Sequence, residues 1–419
     1  MGVSRDRYTP DEKEGDVDIV VQKYGGSSVA DVERIERVAD RMVRTIEGGD
    51  RVVAVVSAMG NTTNELLELS RKITATPAAR ELDMLLTVGE RITMALLSMA
   101  LHARGHEAVS FTGSMSGIIT NASHTGARVV EVRPFRVQDA LDEGKVVIVA
   151  GFQGVSYRRE ITTLGRGGSD TTAIALAAAL GAKYCEICSD VDGVYTTDPR
   201  VVADARRLDA LTHDEMLELS EGGARVLHSQ AIEYARRNGI AIYARSTFGD
   251  PDSGGTIVRV DLDGRRPEVT AIAGRKDRVG IRRDFASTEA ALEWLDRLSE
   301  APGDGDVLPV RTAVTGGDTL TATALYELEN AADPEGFTRR LNERNPEGER
   351  IPLHGCVVVV GPDVGVHASF AATVREALGD LMPGVLGMEA RARTLEIRIG
   401  TESVDEAVRR LHAVLIPVG

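Results

Sequence analysis

Residues 18–46 decide the fold class and read DIVVQKYGGSSVADVERIERVADRMVRTI. The apolar start of this stretch, residues 18–22, predicts a short buried strand, and Lys23 and two glycines follow it almost directly. From Val32 onward the apolar residues recur every three or four positions, which predicts a helix that ends at a Gly-Gly pair. The first unit of the chain is therefore predicted to be a strand, a glycine turn and a helix.

The alternation of strands and helices continues to about residue 243. Further strands are predicted at residues 52–56, 108–111, 146–150, 183–189 and 240–243, with a small hairpin at 154–163. Helices are predicted between them at residues 61–74, 78–104, 136–143, 171–180, 213–219 and 222–238. Because apolar strands that alternate with helices are covered on both faces, the pattern predicts an α/β sandwich around a mostly parallel central sheet.

The character of the sequence changes beyond Asp261, where the apolar runs become weaker. A small α+β module with the order strand, helix, strand, helix is predicted from residues 355–360, 368–381, 394–399 and 404–415. A second, less regular module is predicted within residues 270–345. We therefore expect four regions along the chain: a flexible tail at 1–16, a catalytic domain at 17–262, and two modules at 263–345 and 346–419.

Length and composition exclude several classes of protein. At 419 residues the chain is longer than one hydrophobic core usually supports. Its net charge of -15 argues against nucleic-acid binding, which needs an excess of lysine and arginine. We recognise neither a secretion signal nor an apolar run near the length of a membrane span, so no membrane contact is expected. The three cysteines are too few for a disulfide framework, which favours the cytoplasm.

Two glycine-rich segments have the composition of anion-binding turns. In the first, Lys23 is followed by Gly25 and Gly26, so that backbone N–H groups and the next helix N-terminus can face one phosphate. In the second, residues 165–170 read GRGGSD, and Ser169 and Asp170 can cap the helix that follows. This second segment matches neither the GxGxxG dinucleotide fingerprint nor a Walker A loop, which disfavours a Rossmann dehydrogenase.

Six motifs, in the family's own order, resemble an aspartate kinase of the amino acid kinase family. They are KYGGSSV at 23–29, VVSAMGNTTN at 55–64, VGE at 88–90, GFQG at 151–154, TLGRGGSD at 163–170 and VYTTDPR at 194–200. The resemblance covers residues 18 to about 258. It implies a three-layer amino-acid-kinase sandwich, followed by divergent ferredoxin-like α+β modules of the ACT type.

The resemblance also implies an activity. The chain would transfer the γ-phosphoryl group of ATP to the side-chain carboxylate of L-aspartate and form 4-phospho-L-aspartate, in aspartate-family amino-acid biosynthesis or a specialised pathway. Mg2+ would bridge the ATP phosphates, because both reactants are anions. A homodimer or larger homo-oligomer would form through the C-terminal modules. Since a carboxylate is already deprotonated at neutral pH, no general base is required.

The resemblance assigns roles to individual residues. Lys23 would neutralise the transferring phosphoryl group, and Asp170 would hold Lys23 by an ion pair. Arg166 would bind the substrate α-carboxylate and Glu90 its α-ammonium. The substrate pocket would comprise Ser57, Thr63, Glu90, Phe152, Arg166 and Ser169. The nucleotide site would comprise Lys23, Gly25, Gly26, Ser189, Asp190, Tyr195, Arg200 and Arg225, and no side chain is assigned as a protein ligand of a metal.

The chain departs from the family pattern in two places. Where the family has the motif GAKVLHP, residues 223–229 read GARVLHS, so that Arg225 replaces a lysine that reaches the nucleotide. The loops that usually mark a lysine or threonine effector site are not recognisable in the C-terminal modules. The resemblance therefore implies their fold but no effector.

Two alternatives to an active aspartate kinase remain open. One is a related kinase for another free amino acid or carboxylate, although Glu90 as an ammonium acceptor disfavours an acylated amine or a nucleotide. The other is a non-catalytic regulatory paralogue, which the change at Arg225 and the divergent modules would suit. The charges retained at Lys23, Arg166 and Asp170 favour the enzyme.

Overall fold

The computed structural model describes residues 18–249, 254–262, 268–299, 307, 309–316, 319–331, 333–366 and 368–416. The tail predicted at residues 1–16 lies outside the described residues. In the N-terminal part the strands are β1 (Ile19–Tyr24), β2 (Arg51–Val56), β3 (Ala108–Phe111), β4 (Ile118–Thr120), β5 (Val129–Val132), β6 (Val146–Ala150), β7 (Gln153–Ser156), β8 (Ile161–Thr163), β9 (Tyr184–Ser189), β10 (Ala210–Thr212), β11 (Ile242–Ser246) and β12 (Thr256–Arg259). The helices there are α1 (Val32–Glu47), α2 (Thr62–Ile73), α3 (Ala79–Leu86), α4 (Val88–His102), α5 (Phe135–Asp142), α6 (Gly168–Leu180), α7 (His213–Gly222) and α8 (Ser229–Asn238).

The central sheet has eight strands in the order β10-β12-β11-β9-β1-β2-β6-β3. Every neighbouring pair is parallel except β11 and β12. Alternate residues of its strands point to opposite faces, so that Val21 and Val53 pack with α5 to α8 while Tyr24 and Ala54 pack with α1 and α4. The predicted three-layer α/β sandwich is confirmed.

A smaller four-stranded sheet, in the order β5-β4-β7-β8, lies beside the central one. The hairpin predicted at residues 154–163 is its antiparallel β7–β8 pair. Strand β7 begins three residues after β6 ends, so the short link through Gly151 and Phe152 joins the two sheets. That link lies at the carboxyl end of β6, beside the candidate site.

Two helix predictions need correction. The helix predicted at 78–104 divides at Thr87, where the side-chain amide of Gln153 donates to the Thr87 carbonyl at 3.2 Å and so enters the helical hydrogen-bond pattern. The helix predicted at 222–238 begins only at Ser229. Gly223 adopts φ 115° and ends α7 in the left-handed region, and a loop then runs to α8.

The stretch Ala79–His102 passes a length-and-composition test for a membrane span, and it is the only one in the described part of the chain to do so. The prediction that no apolar run has that length was therefore wrong. However, 56% of the apolar window is buried inside the protein. A mostly buried core helix of a soluble protein passes the same test, so this feature carries no membrane assignment.

The C-terminal part forms one antiparallel sheet with helices packed on it. Its strands are β13 (Ala271–Phe285), β14 (Arg311–Thr315), β15 (Leu320–Glu327), β16 (Glu349–Val360), β17 (Val385–Arg391) and β18 (Thr394–Ile399), in the order β14-β15-β13-β16-β18-β17. Its helices are α9 (Thr288–Ser299), α10 (Pro334–Arg344), α11 (Ala368–Leu378) and α12 (Val404–Leu415).

Two hydrophobic cores share this sheet. One contains Ile272, the end of β16, and residues of α11 and α12, whereas the other contains Val279, Ile281 and residues of α9 and α10. Strand β13 therefore contributes its first half to one core and its second half to the other. Irregular pairing with β16 around Arg275 and Arg278 marks the change. The boundaries predicted at 262/263 and 345/346 stay predictions.

Candidate functional site

The candidate site lies where four neighbouring parallel strands end. Strands β9, β1, β2 and β6 are adjacent in the sheet, and ligands of open α/β sheets bind at the carboxyl ends of such strands. The residues that directly follow or close these strands include many of the predicted ones. They are Lys23, Gly25 and Gly26 at β1, Ser57 at β2, Phe152 at β6, and Ser189 and Asp190 at β9.

Lys23 and Asp170 form a largely buried ion pair. The Lys23 Nζ lies 2.7 Å from Asp170 Oδ1, and the two side chains are only 13% and 10% exposed. Lys23 comes from β1 and Asp170 from the first turn of α6, so the pair joins a strand end to a helix N-terminus. Gly26 is required close by, because a Cβ there would lie 2.9 Å from the Ala58 carbonyl oxygen.

Arg166 is presented on a turn that only glycine can build. The flanking Gly165 and Gly167 have φ of 75° and 68°, a region that other residues rarely adopt. A Cβ at Gly167 would also collide with the ring of His228. The Arg166 side chain is exposed, and it forms no ion pair within the described residues. The turn therefore holds a free guanidinium immediately before α6.

Glu90 is a buried carboxylate with one unsatisfied oxygen. It lies in the first turn of α4 and is 3% exposed. Its Oε1 accepts a hydrogen bond from the Ala58 backbone N–H at 3.1 Å, whereas its buried Oε2 has no partner among the described residues. Burial raises the pKa of Glu90 to about 7, against the lowering effect of the backbone hydrogen bonds. Such an oxygen is suited to a cationic ligand.

This pKa predicts how substrate affinity depends on pH. If Glu90 accepts from a substrate ammonium, it must be ionised, so the KM for the amino acid should fall as pH rises through about 7. We expect a decrease of about tenfold between pH 6 and pH 8. Steady-state kinetics across this range would measure it. In Glu90→Gln the KM should be higher and flat with pH, and a variant that kept the wild-type profile would contradict the assignment.

The other predicted pocket residues surround these charges. The Ser57 hydroxyl donates to the Ser169 hydroxyl at 3.0 Å, which links the end of β2 to the first turn of α6. Thr63 lies in the first turn of α2 and is partly exposed. Phe152 has φ 66°, an uncommon value for a residue with a side chain, and packs against Gly168. Together with Glu90, these positions bring the N-termini of α2, α4 and α6 to the carboxyl end of the sheet.

The predicted nucleotide residues beyond β9 form a separate loop. Ser189 closes β9 and accepts from the Val191 N–H at 3.3 Å, and Asp190 is exposed. The Tyr195 hydroxyl donates to Asp192 at 2.9 Å. Arg200 is 81% exposed and pairs with Asp198 at 2.7 Å. The loop thus begins at the carboxyl end of β9, and several of its polar groups form hydrogen bonds or ion pairs with one another.

Arg225 is directed toward the C-terminal sheet. Its guanidinium pairs with Glu329, just after β15, at 3.0 Å, and the arginine side chain is 68% exposed. Among the described residues, the ion-pair partner of Arg225 therefore belongs to the C-terminal part. No described hydrogen bond or ion pair joins Arg225 to another predicted nucleotide residue. No signal in the sequence pointed to Glu329.

Two residues near the site were missed by the sequence reasoning. His228 lies within the helix predicted at 222–238, but it precedes α8 and its ring packs on Gly167 beside Arg166. Burial lowers its pKa, which keeps the imidazole neutral near pH 7. Asp83 on α3 is completely buried and accepts three hydrogen bonds. A carboxylate in an apolar helix stripe was its only sequence signal.

The arrangement suits a small zwitterion beside a polyphosphate. A buried lysine and glycine N–H groups can face phosphate, while Arg166 and Glu90 offer opposite charges to the two ends of an amino acid. Within the described residues no group of three or more His, Cys, Asp or Glu side chains could hold a metal ion.

Comparisons of the sequence and of the structure with known proteins agree with one another. The model of the amino acid kinase family matches residues 18–246. Aspartokinases of Mycolicibacterium smegmatis and Corynebacterium glutamicum are each 41% identical, over 410 and 414 residues, covering 94% of this chain and 95% of their own. Escherichia coli aspartokinase III, solved with aspartate and ADP, has a TM-score of 0.80 at 24% identity, covering 95% of this chain and 100% of its own.

Proposed function

The chain belongs to the aspartokinases of the amino acid kinase family, and we propose that the residues around Lys23, Glu90 and Arg166 form its active site. An aspartokinase transfers a phosphoryl group from ATP to the side-chain carboxylate of L-aspartate, and this is the function of the chain. The observation that carries the proposed site is the unsatisfied Oε2 of buried Glu90 in the same strand-end cluster as Lys23. A buried carboxylate oxygen without a partner calls for an explanation, and a bound ammonium would supply the missing partner.

Lys23 is the proposed electrostatic catalyst. Negative charge spreads over the transferring phosphoryl group in the transition state, and a fixed cation stabilises it. The ion pair with Asp170 holds the ammonium at the end of β1, beside Gly25 and Gly26. The aspartate carboxylate oxygen attacks the γ-phosphorus as the bond to the β,γ-bridging oxygen breaks, and ADP leaves. Because the nucleophile is already an anion, this step needs no proton transfer.

Glu90 and Arg166 are the residues proposed to bind the substrate backbone. Glu90 would accept from the α-ammonium through Oε2, and Arg166 would donate to the α-carboxylate. Ser57, Thr63, Phe152 and Ser169 would complete the pocket. With both ends of the backbone held, the side-chain carboxylate would be directed toward Lys23, which is the positioning that phosphoryl transfer requires.

The nucleotide is proposed to lie over the ends of β1 and β9. Gly25 and Gly26 would donate to its phosphates, and Ser189, Asp190, Tyr195 and Arg200 would surround the adenosine and phosphates. Arg225 would join them after release from Glu329. Mg2+ would be held mainly by phosphate oxygens and water, and when bound it would reduce the repulsion between the two anionic reactants.

A substitution at Arg166 tests this site. In Arg166→Ala the apparent KM for aspartate should rise by about 100-fold, because a charged hydrogen bond of about 1.5–3 kcal/mol, or more if bidentate, is lost. The KM for ATP should change by less than about threefold. A coupled ADP-release assay with each substrate varied in turn measures both constants. Equal increases in the two constants would contradict the assigned pocket.

The remaining assignments are proposals of wider scope. We place the chain in the cytoplasm, in aspartate-family amino-acid biosynthesis or a specialised pathway, as a homodimer or larger homo-oligomer joined through its C-terminal modules. The alternative of a kinase for another free amino acid is tested by the same assay with a panel of amino acids. The alternative of a non-catalytic paralogue predicts no ADP release with any of them.

A further inference from the structure

We propose that Asp83 is a positioning residue that fixes the separation between Glu90 and Arg166. This inference rests on the proposed function, in which those two side chains hold the substrate backbone. Asp83 lies on α3, is 0% exposed and is absent from the pocket assigned above. A buried carboxylate costs free energy unless its oxygens are well satisfied, so its partners indicate its use.

The partners of Asp83 belong to two segments, the loop at His124 and Thr125 and the end of β8, and the second of these leads to Arg166. Its Oδ2 lies 2.6 Å from His124 Nδ1, and its Oδ1 accepts from the Thr125 N–H at 3.0 Å and the Thr163 hydroxyl at 2.6 Å. Thr163 is the last residue of β8, only three residues before Arg166. One carboxylate therefore fixes the strand from which the arginine turn departs.

The turn at Thr125 supports that strand from its other side. Thr125 has φ 61°, a conformation that costs free energy and is maintained by its surroundings. The Ala127 N–H donates to the Thr163 carbonyl at 2.8 Å, and the space beside Gly165 is bounded by the Thr125 carbonyl. Asp83 thus fixes the turn at Thr125, and this turn supports residues 163–165.

Glu90 belongs to the same helical unit as Asp83, which α3 and α4 form together. A single residue, Thr87, separates the end of α3 from the start of α4, and Glu90 lies in the first turn of α4. The junction is fixed by the hydrogen bond from Gln153 to the Thr87 carbonyl. Asp83 therefore connects the helical unit that carries the ammonium acceptor to the loop that carries the carboxylate donor. Losing it would leave both charges in place but would allow their separation to vary.

The test is a set of variants in the full chain, with both substrate constants measured. In Asp83→Ala the KM for aspartate should rise at least about tenfold while the KM for ATP changes less than about twofold, since small misplacements of binding groups have large effects. Asp83→Asn retains an acceptor for Thr125 and Thr163, so its KM should lie within about threefold of wild type. Circular dichroism and the melting temperature show whether each variant is folded at the assay temperature.

A double variant separates positioning from direct contact. If Asp83 acts through Arg166, then Asp83→Ala should add less than about twofold to the KM of Arg166→Ala. Where Asp83→Ala does not fold, Thr163→Val removes a single hydrogen bond and should raise the aspartate KM about threefold. Thr163→Ser keeps the hydroxyl and should behave as wild type.

The outcomes distinguish this inference from the proposed function. The positioning role would be overturned if the effects of Asp83→Ala and Arg166→Ala multiply in the double variant. Equal increases in the KM for aspartate and the KM for ATP would also overturn it. So would an unchanged KM for aspartate in Asp83→Ala, or in its substitute Thr163→Val. If Arg166→Ala alone leaves the aspartate KM unchanged, the proposed pocket fails and this inference fails with it. An effect at Arg166 without one at Asp83 removes only the positioning role.

Discussion

Lys23→Ala should lower kcat by about 100-fold or more, because the lysine charge acts chiefly on the transition state. The ammonium is held by Asp170 at 2.7 Å in a site that is largely shielded from water, so no mobile cation replaces it at the same position. The measurement is the rate of ADP release at saturating ATP and aspartate. Circular dichroism and the melting temperature should show a folded protein.

A matched lysine serves as the control for this result. Lys145 is also paired with a carboxylate, that of Glu143, but on an exposed turn before β6. Lys145→Ala should therefore leave kcat within about twofold of wild type, since exposed ion pairs contribute little. A Lys23→Ala protein that retains near-normal turnover would remove Lys23 from the mechanism.

The architecture of the N-terminal part was accessible from sequence because its signals are local. Apolar strands such as Val146–Ala150 and the helical spacing from Val32 onward need no knowledge of distant residues. A long-range contact accounts for one of the two wrong helix predictions, that at residues 78–104. Gln153 interrupts the helix at Thr87 from across the fold, and the chain 66 residues earlier gives no indication of it.

The residues of the candidate site also differ in whether local sequence signals or distant contacts reveal them. The residues around Lys23, Arg166 and Asp170 belong to motifs with a recognisable order, and the structure brings Lys23 and Asp170 together. Asp83 and Glu329 were missed because each acts through a partner far away in sequence. Their residue types alone are those of ordinary helix and turn positions, and only packing reveals that Asp83 is completely buried.

Arg278→Ala should lower the free energy of unfolding of the C-terminal sheet by about 3–5 kcal/mol, the usual cost of breaking a buried ion pair. Arg278 is 1% exposed, and it donates to Glu396 at 2.8 Å and to the Glu221 carbonyl at 2.9 Å. Burial alone would raise the pKa of Glu396, but Arg278 and Arg311 outweigh it and hold that pKa below its usual value. Removing Arg278 leaves a buried carboxylate with one cation fewer.

The chain provides its own probe and its own control for this measurement. Its single tryptophan, Trp294, is buried in the core formed by α9, α10 and the second half of β13, so its fluorescence reports urea unfolding of that sheet. Arg282 lies on the same strand and pairs with Glu349, but both side chains are more than half exposed. Arg282→Ala should therefore cost less than about 1 kcal/mol. Equal losses in the two variants would mean that burial of the Arg278 ion pair contributes no more to stability than an exposed ion pair does.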